Sequence, residues 1–284
     1  MKKRRYKEKI AYLFLTLMVS IILVSLFMLF YFIISRGVKV ISWQFLTEIP
    51  RKAMTAGGIF PAILGTFYLT VGAICFALPL GIFAAIYLSE YATQNRLIRI
   101  IRIGINNLAG VPSVVFGLFG LAIFVKYMGF GVSILSGGLT LGILILPTII
   151  RASEEALLAV PPSFREASLA LGATKWQTIQ KVVLPSSISG ILTGSILAIG
   201  RAAGETAPIL FTAVTFYTMR LPNSIFSEVQ ALPYHIYALM TEGTHPESQV
   251  PIAYGAALVL ICLVLGLDLI AIILRNRFRR SKKW

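Results

Sequence analysis

The stretch Ser163–Pro185, SFREASLALGATKWQTIQKVVLP, is the one long polar, amphipathic interruption in a chain that is otherwise mostly apolar. Ser163 followed by Glu166 has the spacing of a capping box, in which the two residues satisfy each other's free backbone donors. Good helix formers then run to Gly172, the residue type best suited to a left-handed position after a helix end. Thr174 with Gln177 has the spacing of a second capping box, and Pro185 is expected to end the second helix. The pattern reads helix, glycine elbow, helix, stop. Each arm is too short and too charged to cross a bilayer. The element has the character of a docking device.

Around it, 57% of the residues are hydrophobic and 13% charged, with a mean hydropathy of +0.83. Soluble domains carry about 25% charged residues, so the composition is that of an integral membrane protein in contact with lipid. A net charge of +15 would suit nucleic acid, but its placement argues against that partner. Lys2, Lys3, Arg4, Arg5, Lys7 and Lys9 crowd the start, and Arg275, Arg277, Arg279, Arg280, Lys282 and Lys283 the end. Basic flanks beside apolar spans are orientation signals. Cys75 and Cys262 both lie within apolar runs, which speaks against a disulfide framework. The first apolar run is too long for a signal-peptide core and reads as an uncleaved span.

Six runs are long enough to span a bilayer: Ala11–Ile34, Pro61–Leu88, Ile105–Val125, Val132–Ile150, Ile188–Thr212 and Ile252–Leu274. The expected organisation is a basic N-terminus at 1–10, a first helix with its outer loop at 11–60, a core at 61–274 and a basic C-terminus at 275–284. Both termini, the 94–104 loop with Arg96, Arg99 and Arg102, and the Ser163–Pro185 elbow fall on the cytoplasmic side by the positive-inside rule. The connections Arg36–Phe60 and Ala213–Pro251 fall outside, with Arg36, Lys39, Arg51, Lys52, Lys126 and Arg220. Pro79, Pro112 and Pro147 interrupt their spans, and Gly110-Val111-Pro112-Ser113 has the composition of a joint. Ser186, Gly190, Gly194 and Ala198 form a small-residue stripe, read as ordinary close helix packing.

No phosphate loop, metal-ligand cluster, HExxH or GxSxG pattern is present, so neither a catalytic activity nor a cofactor is expected. His235 and His245 read as solvated loop residues. Arg201 with Glu205 is the most conspicuous charged pair, in GRAAGETAP, about 20 Å into the expected fifth span. A charge at such depth is costly, and the i, i+4 spacing puts both groups on one helix face. Two readings stand: a guanidinium lining an anion path, or a structural ion pair that fixes helix register. Arg151 and Glu154, at the expected end of the fourth span, carry the same two readings, with snorkelling favouring the structural one. Two converging arginines would suit a tetrahedral oxyanion.

Glu166-Ala167-Ser168, three residues, Gly172, nine residues and Val182-Val183-Leu184-Pro185 resemble the EAA loop of ABC importer permeases. Ser168 stands where that pattern has Ala, and Val182 where it has Ile. The resemblance implies a type I importer fold of six transmembrane helices with short cytoplasmic coupling helices. It also implies that Glu166, Ala167, Ser168, Gly172, Ala173 and Thr174 dock on a separate ATPase, which would supply the missing phosphate loop. GGIFPAILGTF at 57–67, GVPSVVFGLFGL at 110–121, the segment 146–179 and ILTGSILAIGRAAGETAPILFTA at 191–213 are similar to the PstA family of phosphate importer permeases in the bacterial inner membrane. That likeness implies a PstC-like second permease, a PstB-like ATPase dimer, a PstS-like phosphate-binding protein, and Arg151, Glu154, Arg201 and Glu205 near the substrate route. The residues alone argue for an anion; a permease for phosphonate or sulfate, or a self-contained secondary transporter, are the alternatives.

Overall fold

The computed structural model describes residues 2–52, 54–93, 95–215 and 221–280. Residue 94, Arg220, Lys282 and Lys283, and the side chains of residues 2–8 and 278–280, lie outside the described residues, so the orientation signals on them are known from sequence alone. Helices α1 (Lys2–Gly37), α2 (Trp43–Thr47), α3 (Phe60–Ile86), α4 (Arg96–Leu108), α5 (Ser113–Gly120) and α6 (Ile134–Leu158) make up the first half. The second half holds α7 (Pro162–Ala170), α8 (Lys175–Thr178), α9 (Leu184–Gly204), α10 (Ala207–Leu210), α11 (Leu232–Thr241) and α12 (Pro246–Arg280). Among the described residues the only β structure is two isolated bridges. The protein is an all-α membrane fold.

Among the described residues, five helices are long and apolar enough to cross a membrane: Lys9–Gly37, Phe60–Tyr91, Ile134–Leu158, Lys175–Gly204 and Pro246–Arg277. The expected third span is not one straight helix. Arg96–Leu108 and Ser113–Tyr127 meet at 104°. Pro112 has no N–H to donate and pushes Val111 out of the α region, so the ladder breaks there. The expected basic loop is also corrected, because Asn95 accepts from Ile98 N and starts α4. By contrast, α3 and α6 run through Pro79 and Pro147 without ending.

Small residues set the packing. Gly138 lies against Gly72, Gly142 against Ala73 and Phe76, and Gly81 against Ile149. These pairs keep a constant offset, so α3 and α6 run parallel, the broken α4–α5 pair returning the chain between them. Gly190 faces Ala156 and Gly194 faces Ala152, so α9 runs antiparallel to α6. The glycine stripe is thus a helix interface, as expected, which suits association by close packing in lipid. Thr193 bonds Arg275 at 3.3 Å and Arg36 bonds the Tyr254 hydroxyl at 3.2 Å, so α12 is antiparallel to both α9 and α1. Both chain ends therefore share the end of the bundle where α7 and α8 lie.

His235 on α11 corrects another expectation. It is 2% exposed, and burial pushes its pKa down to about 4. His245 is exposed.

Candidate functional site

At the elbow, Pro162 takes the first position of α7 and Pro161 precedes it, so Ser163 is already inside the helix and the expected Ser163–Glu166 box does not form. The turn is as expected. Gly172 has φ +82°, its N–H reaches Leu169 O at 2.9 Å, and Ala173 N reaches Ser168 O at 3.2 Å. That bond pattern is a Schellman close. The Thr174–Gln177 box is formed, with both reciprocal bonds present. Ser168 and Thr178 hydroxyls, 2.9 Å apart, tie the two arms together.

The second arm does not stop at Pro185. It widens into a π turn at Ile179–Val183 and continues as α9. Leu184 N bonds Ile179 O, five residues back, and this wider turn makes room where a proline would clash in an α ladder. The elbow is therefore continuous with the helix that carries Arg201. Leu169, Leu171 and Trp176 are 49%, 90% and 49% exposed, beside exposed Glu166 and Ala167.

Arg201 and Glu205 are paired, Nε to Oε1 at 3.3 Å, with side chains 39% and 18% exposed. Because the helix ends at Gly204, where Glu205 turns extended, instead of running to Thr212, Arg201 sits in the last turn of α9 rather than mid-span. The C-terminal dipole favours a cation there. An exposed i, i+4 pair is worth about 0.5 kcal/mol, so Glu205 orients the guanidinium more than it stabilises the helix.

Arg151 and Glu154 are not a pair with each other. Glu154 instead meets Arg102 of α4, Nη1 to Oε1 at 2.6 Å, and Arg102 Nη2 donates to Leu88 O at 3.0 Å. Nor do they end a helix, since α6 continues to Leu158. Arg151 is exposed and makes no ion pair among the described residues. It lines a cavity of about 230 Å³ with Arg102, Ile105, Asn106, Glu154, Glu155 and Leu158. Glu154 already neutralises Arg102. The remaining polar groups are the Arg151 guanidinium and the Asn106 amide, which are donors for an anion, and the exposed Glu155 carboxylate, which opposes one. Arg201 and Glu205 are not in that lining. Continuing the α6–α9 pairing puts Arg201 level with Ile145, about 9 Å along the axis from Arg151.

Three polar residues escaped the sequence reading. Arg102 looked like one of three loop arginines. Asp268, a lone carboxylate in the apolar run of α12, was a readable signal by its depth alone. It lies against Gly200, next to Arg201, and its Oδ1 is buried without a hydrogen-bond partner among the described residues. Glu90 meets Arg165 with Nη2 to Oε1 at 2.7 Å, a pairing that no local pattern foretells.

Residues 77–283 match the family described as binding-protein-dependent transport system inner membrane component. The chain belongs to that family. As a member of it, this permease component is similar to a probable ABC transporter permease protein, YqgI, of Bacillus subtilis, 37% identical and covering 94% of this chain and 95% of the relative. It is 36% identical to phosphate transport system permease protein PstA 1 of Mycobacterium tuberculosis, over 99% and 91% of the two chains. In fold this permease component is similar to a chain of a bacterial alginate ABC transporter, with a TM-score of 0.67 at 16% identity over 95% and 94% of the chains.

Proposed function

We propose that the chain is the membrane-spanning subunit of an ATP-driven importer of inorganic phosphate, coupled to a separate ATPase. The observation that carries this is the elbow: a closed, capped turn with an exposed face, continuous through a π turn with α9. A helix that is both dock and pathway wall converts movement at one end into displacement at the other. Glu166, Ala167, Ser168, Gly172, Ala173 and Thr174 form the docking element. Arg151 and Arg201 receive the anion; Glu205 orients Arg201, and Glu154, held by Arg102, stands beside Arg151 in the cavity wall. The basic ends and the elbow lie at the cytoplasmic face of a bacterial inner membrane.

Phosphate, as distinct from another oxyanion, is supported by the likeness to the phosphate permeases named above. The partners that follow are a PstC-like second permease, a PstB-like ATPase dimer and a PstS-like binding protein. The test is purification of the tagged chain with its partners and reconstitution into vesicles. ATP-dependent phosphate uptake that sulfate and phosphonate fail to compete supports the reading; uptake that survives removal of ATP refutes it.

A further inference from the structure

We propose that the π turn Tyr87–Tyr91, at the end of α3, is the relay by which the docking elbow moves the arginine-lined cavity. This rests on the importer reading above. Three cations from three different elements converge on those five residues. Arg165 of α7 grips Glu90 as a fork, Nε to Oε1 at 3.1 Å and to Oε2 at 3.3 Å, Nη2 to Oε1 at 2.7 Å. Lys175 of α8 lies 4.8 Å from the centre of the Tyr91 ring. Arg102 of α4 donates to Leu88 O and holds Glu154 in the cavity wall. The elbow, through Arg165 and Lys175, and the cavity wall, through Arg102, thus touch the same short segment.

The chemistry of the contacts suits transmission. Leu88 O lies in the last turn of its helix, where carbonyls lack helical partners, and Arg102 supplies the missing donor. Arg165 also donates to Val160 O at 2.6 Å and Leu157 O at 2.8 Å, closing the end of α6. Beneath it, Phe164 packs on Ala85, Ile86, Leu157, Val160, Ile179 and Val183. Apolar contact is non-directional and permits sliding. A planar fork on a carboxylate fixes direction. A π turn places one extra residue in the ladder, and such turns recur at functional sites because the register can shift there.

A contiguous route becomes a mechanism when its members couple energetically. The experiment is a double-mutant cycle on the reconstituted complex, reading phosphate imported per ATP hydrolysed together with thermal midpoint and subunit stoichiometry. Glu90→Gln and Arg102→Gln each lower the ratio about tenfold, a coupling of ordinary allosteric size, with the complex assembled. Together they lower it no more than about twofold beyond the worse single variant, because both cut one route. A ratio for Glu90→Gln within twofold of wild type overturns the relay, as do effects that multiply. If Glu90→Gln does not assemble, the conservative Arg165→Lys is read instead: an assembled complex with a lowered ratio supports the relay, and loss of assembly there too makes the pair structural and overturns it. Absence of any ATPase from the purified wild-type chain would instead sink the importer reading, and is checked first.

Discussion

Gly194→Ala isolates the packing on which the α6–α9 interface rests. A methyl at Gly190 would lie 2.6 Å from Ala156 Cβ, against the 3.4 Å at which ordinary contact begins, and one at Gly194 would overlap Ala152 Cβ more deeply still. The two helices must part by roughly 1 Å, and overpacking of that kind costs about 1–3 kcal/mol. Alanine's better helix propensity returns about 1 kcal/mol, leaving a net loss in the worse case. The expected order of thermal midpoints in detergent is Gly204→Ala at or above wild type, then Gly190→Ala, then Gly194→Ala a few degrees below. Gly204 is the control, because nothing lies within 4 Å of a methyl there. Adding Ala152→Gly to Gly194→Ala should restore most of the loss, since the new methyl then meets Ala152 Cα at 3.5 Å. A Gly194→Ala midpoint at or above wild type, or no recovery in the swap, refutes the geometry.

Gly172→Ala should weaken ATPase capture about tenfold, as left-handed backbone costs a side-chain-bearing residue about 1–2 kcal/mol and the φ of +82° leaves no alternative; quantitative pull-down measures it. Thr174→Ala removes the capping box at about 1 kcal/mol and should lower the same affinity by a smaller factor. Arg201→Ala should abolish phosphate uptake while the assembled complex still purifies, whereas full uptake would make the pair structural. His235, neutral when buried, contributes stability that is complete above its unfolded pKa of 6.5 and is lost as pH falls toward its folded value of about 4. The loss is about 3 kcal/mol, and a His235→Gln variant should flatten the midpoint-against-pH curve over that window.

Composition, run lengths and the spacing from Glu166 to Pro185 determined the class of this protein, because lipid demands long apolar helices and an elbow needs specific caps. Gly172 and the Thr174–Gln177 box were legible because their hydrogen bonds are local, reaching only three to five residues along the chain. Ser163 failed because the neighbouring prolines set the helix start two residues earlier, with Pro161 at the N-cap position. Pro185 failed because a π turn absorbs it, and nothing in the local sequence distinguishes that from a helix end. Among the charged side chains only the local pair Arg201–Glu205 was legible, and partners from other elements were not. Glu154 lies beside Arg151 in sequence yet takes Arg102 from across the break at Pro112, and Glu90 takes Arg165 from 75 residues away. The depth of Arg201 was not legible either: it is near a helix end because α9 stops at Gly204, within the apolar run that continues to Thr212. Local chemistry fixes which helices form and how the elbow closes; only the parallel α3–α6 packing and the broken α4–α5 return decide which charges meet.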